Sequence, residues 1–377
     1  MRIGIEAQRI FRPNKHGMDV VALETIRHLV EVAPEHTIVV FVRPDADPCL
    51  DPAPNLEVRE IDGWSYPTWE QWSLPRAVRE AEVDLLHCTS NTAPLQLDVP
   101  LVLWLHDIIY LEDDRSLLGT GGTWYQRLGN AYRRLVVPQA LENAKAIVTV
   151  SEYERETIGA AFPDVTDQLT AIHNGLAEQF EPVADPDALR TVRDRYDLPE
   201  QYLFFLGNTA PKKNTPNVLD AYARYHTEAT DPHPLVIADY DRERVHSHFA
   251  ERGHEAMMND IVTPGYVRYE DMAAVYTMAT LFLYPSLRES FGMPIAESMA
   301  CGTPVVTADA ASMPEVAGNA AVCVDPTRPS AIAAGIRRVL EDADTWLAFR
   351  RRGLRRAQHF SWENTARRLL PLYEAVA

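Results

Sequence analysis

The sequence predicts two consecutive α/β domains, each a parallel sheet covered by helices on both faces. Three observations carry this. The length of 377 residues is too great for one comfortable core and sits near the prior for two domains of ordinary size. Short apolar runs alternate with helical patterns over nearly the whole chain. A polar, proline-punctuated stretch at residues 177–200 divides those runs into two series.

The first series reads RIGIEA, TIVVFV, VDLLHC, PLVLWLH, AIVTVS and TAIHNG. Between its first two members, Val20, Leu23, Ile26 and Val30 recur at helical spacing, which makes a βαβ unit. Ser151 followed by Glu154, directly after AIVTV, has capping-box spacing and starts a helix there. The first domain therefore spans 1–175 and closes at Asn174-Gly175, a pair that tolerates left-handed backbone and reads as structural. After a short helix in the link, the second series reads YLFFLG, PLVIAD, DIVTPG, TLFLYPS, TPVVTA and AAVCVD, giving a second domain over 176–360. Two similar halves imply two Rossmann-like domains. Residues 361–376 form a last amphipathic helix, with Ser361 as its N-cap.

Composition narrows the function classes. The hydrophobic share of 46% with 24% charged residues is that of a packed globular protein. A formal charge of -18 repels phosphate backbones and anionic lipid at long range, so nucleic acid is not expected as a partner. An anionic ligand must then be captured by a local basic patch, and only four lysines exist, two of them adjacent at Lys212 and Lys213. The four cysteines show no C-x-x-C spacing, and no apolar run has signal or membrane length, which fits a cytoplasmic protein. There is no short-period repeat and no G-x-G-x-x-G after a strand; the glycine cluster GTGG at 119–122 lacks a preceding strand, so a dinucleotide reading loses its main support.

The stretch LRESFGMPIAESMACGTPVV, residues 287–306, carries the most chemistry. Its order is loop, helix and strand after TLFLYPS, placing Glu289 on a loop at the C-terminal edge of the sheet and Glu297 inside the helix. In an open α/β sheet that edge is where ligands bind. Ser290, Phe291, Gly292 and Met293 put backbone N–H groups at a helix N-terminus, suited to an anion or sugar hydroxyls. Glu297, about one turn beyond Pro294, is placed to reach two vicinal hydroxyls. The loop GNTAPKKN, 207–214, follows the strand YLFFL and precedes a helix opened by Asn214 with Pro216 in its first turn. Its two ammonium groups could neutralise a diphosphate without a metal. These elements together suit a nucleotide-sugar pocket.

The 287–306 segment resembles the E-x-x-x-x-x-x-x-E motif of glycosyltransferase family 4, including the following A-C-G-T-P-V-V strand. LGNTAPKKN resembles the G-T-x-x-P-R-K-N loop of its mannosyltransferase-like branch, and IHNG, GYVRYEDMAAVY and SWENTARRLLPLY are also similar to it. The likeness spans almost the entire chain, strongest over 144–325. It implies the GT-B fold, two Rossmann-like domains facing across a cleft, the first holding mostly the acceptor and the second mostly the nucleotide sugar, with the last helix, 361–377, returning to the first domain. It also implies a retaining, metal-independent transfer of a hexose from a nucleoside-diphosphate sugar, GDP-mannose favoured, to a glycan, lipid-linked or small-molecule acceptor, with no cofactor. A GT-B nucleotide-sugar epimerase and a catalytically silent binding subunit are the alternatives.

On this resemblance His106, in WLHDIIY, lies beside the donor sugar while Asp107 holds the loop. Lys213 and Glu289 complete the catalytic set. Val267 and Arg268, in PGYVR, are where such proteins grip the nucleobase through backbone. Gly17 would let backbone N–H groups approach the diphosphate. Two positions depart from the family pattern: Lys212 stands where Arg is common, replacing a bidentate fork by a point charge, and Asn208 stands where some relatives carry Arg. In the segment 123–141, Trp124, Leu128 and Leu135 fall on apolar positions with Arg127, Arg133 and Arg134 among them. An ordinary packed helix with its arginines facing water is expected there, with acceptor or weak membrane-surface contact as the alternative.

Overall fold

The computed structural model describes residues 1–15, 17–111 and 124–377, with backbone only over 124–127. The GTGG cluster at 119–122 and the side chains of Trp124 and Arg127 lie outside the described residues. The described chain forms two units. One comprises residues up to 175 together with 361–377, the other 176–360.

The sheet of the first unit contains β1 (Arg2–Glu6), β2 (Thr37–Val42), β3 (Leu56–Glu60), β4 (Leu85–Cys88), β5 (Leu101–Trp104), β6 (Ala146–Thr149) and β7 (Leu169–Ala171). All pairings are parallel, in the order β3-β2-β1-β4-β5-β6-β7. Every residue of β4, β5 and β6 is buried, as helices on both faces require. β3 is the strand the apolar-run reading does not anticipate. LEVRE sits at the sheet edge, stays half exposed and alternates charged with apolar residues, so it never forms an apolar run.

Helix Gly17–Val32 turns Val21, Leu23, Ile26 and Leu29 into the core, a face rotated slightly from the Val20 and Val30 register expected of it. Ser151 caps helix Glu152–Ala161, its hydroxyl accepting the Glu154 N–H at 3.1 Å. Helix Trp124–Asn143 departs from expectation. Val136, Val137, Ala140 and Leu141 face the core, whereas Leu128 and Leu135 are 59% and 66% exposed. Its apolar residues therefore serve two faces. No described helix is long and apolar enough to cross a membrane.

The last helix, Trp362–Val376, belongs to this unit. The Ser361 hydroxyl accepts the Asn364 N–H at 3.1 Å, as an N-cap does. Trp362, Leu369 and Tyr373 are buried, Thr365 donates to the His173 carbonyl at 2.7 Å, and Arg368 donates to the Ala171 carbonyl at 2.8 Å. The Tyr373 hydroxyl shares a 2.7 Å hydrogen bond with His87 Nδ1, and burial pushes that imidazole down to about 3, so it is neutral at any ordinary pH.

The second sheet contains β8 (Leu203–Leu206), β9 (Leu235–Ala238), β10 (Ile261–Gly265), β11 (Leu281–Tyr284), β12 (Val305–Ala308) and β13 (Val322–Val324). It is again wholly parallel, in the order β10-β9-β8-β11-β12-β13. All six strands coincide with the apolar runs of the second series. In both sheets the strand order reverses once, between β1 and β4 in the first and between β8 and β11 in the second. Outside the carboxyl ends of those pairs the flanking connections diverge and leave a crevice, the place where open α/β sheets take ligands.

Gly175 is structural for a specific reason. A Cβ built on it would stand 2.1 Å from the Trp362 N and 2.6 Å from the Ser361 carbonyl carbon, both rigid backbone. Gly175→Ala must displace the start of the last helix and should lower unfolding stability by about 2 kcal/mol or more, the scale of overpacking against a fixed neighbour. Urea titration followed by circular dichroism reads this directly, and an unchanged midpoint would show that the junction yields freely.

Candidate functional site

The connection after β8 places the two lysines. Asn208 opens it, its Oδ1 accepting the Ala210 N–H at 2.7 Å, and a single 3-10 turn covers Pro211–Lys213. Asn214 then takes left-handed backbone, φ +62°, before helix Thr215–Glu228. The sequence placed Asn214 as the opener of that helix, and it does precede it, but its side chain does not cap it. The amide donates instead to the carbonyls of Pro285 at 2.9 Å and Pro326 at 2.7 Å. Asn214 thus ties the lysine turn to the loop after β11. A backbone bond from the Leu287 N–H to the Lys212 carbonyl, 2.7 Å, does the same.

These ties bring Lys212, Lys213 and Glu289 together at the crevice between β8 and β11. Lys213 Nζ lies 2.7 Å from Glu289 Oε1, and Lys212 Nζ lies 3.6 Å from Oε2. Lys213 also donates to the Tyr284 hydroxyl at 2.8 Å, and that hydroxyl is bonded in turn to Glu289. Burial opposes the charged form of Glu289, but the two ammonium groups outweigh it and hold the carboxyl below the usual range. The cluster carries one net positive charge in a chain of -18.

The loop behind Glu289 is fixed from below. The Ser312 hydroxyl, set between the carbonyls of Glu289 and Phe291, lies 2.8 Å from each. Phe291 is buried edge-to-face against Phe360 at 5.6 Å. Gly292 has φ +105°, which side chains other than hydrogen rarely adopt, and it is the N-cap of helix Met293–Ala300. This N-terminus offers fewer donors than its sequence suggests. Pro294 has no N–H, and the Ile295 N–H returns to the Gly292 carbonyl at 3.0 Å.

Glu297 differs from Glu289 in every respect that matters electrostatically. It is 9% exposed, no cation is paired with it among the described residues, and its described partner is the Tyr276 hydroxyl, which donates at 3.2 Å. Burial raises its pKa to about 7. The carboxyl therefore sits near half-ionisation at neutral pH, able to donate one hydrogen bond and accept another.

Of the other residues singled out in the second unit, Val267 is buried, and the Arg268 N–H is already taken by the Tyr196 hydroxyl at 3.1 Å. The Arg268 guanidinium pairs with Asp271 at 3.0 Å and Glu270 at 3.3 Å. Among the described residues no hydrogen bond or ion pair joins these two residues to the lysine cluster. Three contributors escaped the sequence reading. Tyr284 reads as a core aromatic, Ser312 lies far along the chain from the loop it holds, and Tyr276 is concealed in an apolar helix; none carries a linear signal.

In the first unit, His106 follows β5. Its Nε2 lies 2.9 Å from the Thr89 carbonyl, its N–H donates to Asn91 Oδ1 at 2.7 Å, and its ring stacks on Trp104 at 5.6 Å. A carbonyl only accepts, so Nε2 carries the hydrogen and Nδ1 is left as an acceptor. Burial lowers the pKa, keeping the ring neutral. Asp107 Oδ1 accepts the Ile109 N–H at 3.2 Å and so shapes the loop. Gly17 is the exposed first residue of its helix; a Cβ there meets nothing within 4 Å, so the fold itself does not require glycine.

With this geometry established, comparison with known proteins gives its family. The model for "Glycosyltransferase Family 4" matches residues 16–180 and that for "Glycosyl transferases group 1" matches residues 193–356. The chain belongs to glycosyltransferase family 4. O-antigen chain mannosyltransferase B of Escherichia coli is 34% identical over 250 residues, 65% of this chain and 64% of its own length. The chain thus spans just under two thirds of that relative. D-inositol 3-phosphate glycosyltransferase of Salinispora tropica is 28% identical over 406 residues, 96% of this chain and 81% of its own length. Among solved structures, Anabaena HepE in complex with UDP-glucose superposes with a TM-score of 0.71 at 18% identity over 100% of both chains. The fold is GT-B, two Rossmann-like domains.

The raised pKa of Glu297 has a measurable consequence. The folded protein holds this proton more tightly than the unfolded chain, so the associated stability is full below the ordinary value of 4.5 and lost as pH rises through about 7. Glu297→Gln should therefore be nearly neutral at acid pH and stabilising at alkaline pH, by up to about 3 kcal/mol. Denaturant curves of both proteins across that range test it, and a difference independent of pH would mean that Glu297 is ionised throughout.

Proposed function

We propose that this protein transfers a hexose from a nucleoside-diphosphate sugar to an acceptor hydroxyl, with retention at the anomeric carbon and without a metal. The observation that carries the reading is the Lys212, Lys213 and Glu289 cluster at the crevice of the second sheet. Two ammonium groups within 4 Å of one carboxylate leave positive charge over for a diphosphate. The Gly292 and Met293 N–H groups add to it from the helix N-terminus.

In the favoured course, the bond between the anomeric carbon and the diphosphate oxygen breaks while the acceptor oxygen bonds to the same face of that carbon. The acceptor proton passes to the departing phosphate. Lys213 and Lys212 take up the charge that develops on the leaving group, and Glu289, kept ionised, accepts from sugar hydroxyls. His106 offers its neutral Nδ1 to a further hydroxyl. Glu297, with one proton shared about equally at neutral pH, is matched to a pair of vicinal ribose hydroxyls. Asn208, Gly17, Val267 and Arg268 take lesser parts: their backbone is available to phosphate or base, but Asn208 Oδ1 and the Arg268 N–H are already engaged.

GDP-mannose is the preferred donor, on the mannosyltransferase name of the Escherichia coli relative. UDP-glucose, which HepE holds, is the competitor to test. A thermal-shift panel of GDP, UDP and their sugar conjugates should single out the guanosine series, because ligand that binds only the native state stabilises it by mass action. A uridine-selective shift would replace the donor, and no shift with any nucleotide would remove the reading.

Glu289→Ala should cut turnover by about a hundredfold or more, the scale of removing one preorganised electrostatic group, while the protein stays folded. Near-normal turnover would take Glu289 out of the site. Addition of EDTA should leave the wild-type rate unchanged, and loss of activity would assign the leaving-group charge to a metal instead.

A further inference from the structure

The first sheet has its own crevice outside β1 and β4, and a cavity of about 970 Å3 lined by Arg9, Arg12, Arg43 and Arg133 lies there, where such a sheet takes ligands. A smaller recess, about 320 Å3, belongs to neither crevice. It lies in the second unit, between the turn at Gly318 and Asn319 and one face of helix Ala343–Ala357, and Arg352, Arg355, Arg356 and His359 line it.

The sequence builds this recess from FRRRGLRRAQH, 349–359, in which five of the seven residues from Arg350 to Arg356 are arginines. Arg352, Arg355, Arg356 and His359 follow the spacing i, i+3, i+4 and i+7, so a period that elsewhere buries apolar side chains here gathers cationic ones. Like charges at that spacing repel and weaken a helix, which gives the fold no reason to collect them. Arg352 and Arg355 are exposed and form no ion pair among the described residues.

Arg356 is held differently. Its Nε donates to the Val316 carbonyl at 3.0 Å, an amino group donates to the Glu315 carbonyl at 2.6 Å, and the guanidinium lies over the Phe360 ring at 5.0 Å. Carbonyls fix a guanidinium without cancelling its charge. The Glu315 carboxylate acts on Arg356 electrostatically, and even set against the whole recess it leaves two of the three guanidinium charges over. The facing wall turns at Gly318, whose φ of +54° suits glycine, and adds Asn319, a side chain that both donates and accepts. Guanidinium forks match phosphate oxygens in bidentate fashion, and the volume, near the lower bound for ligand pockets, is ample for a diphosphate.

The recess is also tied to the loop that carries Glu289. Helix Met313–Ala317, whose carbonyls hold Arg356, starts directly after Ser312, and the Ser312 hydroxyl lies 2.8 Å from the Glu289 and Phe291 carbonyls. Phe360, under Arg356, packs edge-to-face on Phe291 at 5.6 Å.

We propose that this recess is an effector site for a small anion bearing one or two phosphate groups, and that filling it braces the Glu289 loop. The anion relieves the repulsion between Arg352, Arg355 and Arg356, and the brace reaches the loop through Ser312 and Phe360.

Isothermal titration of the full chain with inorganic diphosphate tests the site. In R352Q/R355Q the affinity should fall by about tenfold or more, the scale of losing charge-assisted hydrogen bonds, and the gap should narrow as salt is raised. Both side chains are exposed, so circular dichroism should show the variant folded. In K212Q/K213Q, which strips the crevice of its lysines, the same binding event should persist. Equal affinity of wild type and R352Q/R355Q overturns the proposal, and so does loss of the event in K212Q/K213Q. Vesicles of phosphatidylglycerol separate a lipid headgroup from a free anion: arginine-dependent sedimentation with vesicles and no affinity for soluble diphosphate would replace the site by a membrane-facing surface. Hydrogen exchange reads the brace. Diphosphate should slow exchange over 286–292 in wild type and in K212Q/K213Q but not in R352Q/R355Q, and binding without slower exchange removes the link to Glu289. A failed transferase reading appears elsewhere, as absent nucleotide binding and turnover, and leaves these titrations interpretable.

Discussion

The buried ion pair between Lys213 and Glu289 is the constraint on which the rest of the second unit's crevice depends. Placing a carboxylate and an ammonium group in partly buried positions costs desolvation on both, and an apolar pair of similar volume would hold the fold as well or better. Stability is therefore a poor reason for it. What the pair does is keep a carboxylate charged at a place where burial alone would neutralise it, and hold two lysines on one face of a loop. The structure around it serves that end. Asn214 spends both amide hydrogens on carbonyls from two other loops, Ser312 sits between the carbonyls of Glu289 and Phe291, and Gly292 takes a backbone turn that other residues rarely take.

The contrast with Glu297 shows how environment assigns different work to two acids of the same motif. Glu289 faces two cations, and its proton is lost. Glu297, eight residues further on and about one turn into the helix, faces a tyrosine hydroxyl and no described cation, and its proton is half retained at neutral pH. A fully ionised acid suits a partner that only donates. A carboxyl poised near pH 7 suits neighbouring hydroxyls, each able to donate or accept. The spacing of the two residues fixes their placement on loop and helix; the difference in charge comes from the packing of Tyr276, Tyr284 and the lysine turn.

The legibility of this chain follows from where each signal resides. The central strands, such as β4, β5, β6, β9, β11 and β12, are buried throughout and announce themselves as apolar runs, whereas β3, half exposed at the edge with LEVRE alternating, does not. The lysine and glutamate cluster was legible because two short linear motifs follow strands that prove to be neighbours, β8 and β11. Leu128 and Leu135 fit a helical period yet end up exposed, because period alone says that residues share a face and not which face is covered. Tyr284 and Ser312 were invisible for the opposite reason: a strand-end tyrosine and a serine before a helix are commonplace until the fold sets them against Glu289.

The cavity of the first unit lies at the far limit of that legibility. Gln8 and Arg9 follow β1, Arg43 follows β2, Trp64 and Tyr66 follow β3, Thr92 follows β4, and Arg133 comes from a helix much later in the chain. No two of its arginines stand close enough in sequence to read as a cluster except Arg9 and Arg12, and those two are partly spent on Asp19. A parallel sheet gathers such residues because every strand delivers its following loop to the same edge. The same rule that made the lysine and glutamate cluster readable from two motifs thus gathers Arg9 and Arg12, Arg43 and Arg133 onto one cavity from three separate connections, a grouping that no linear stretch of the sequence reveals.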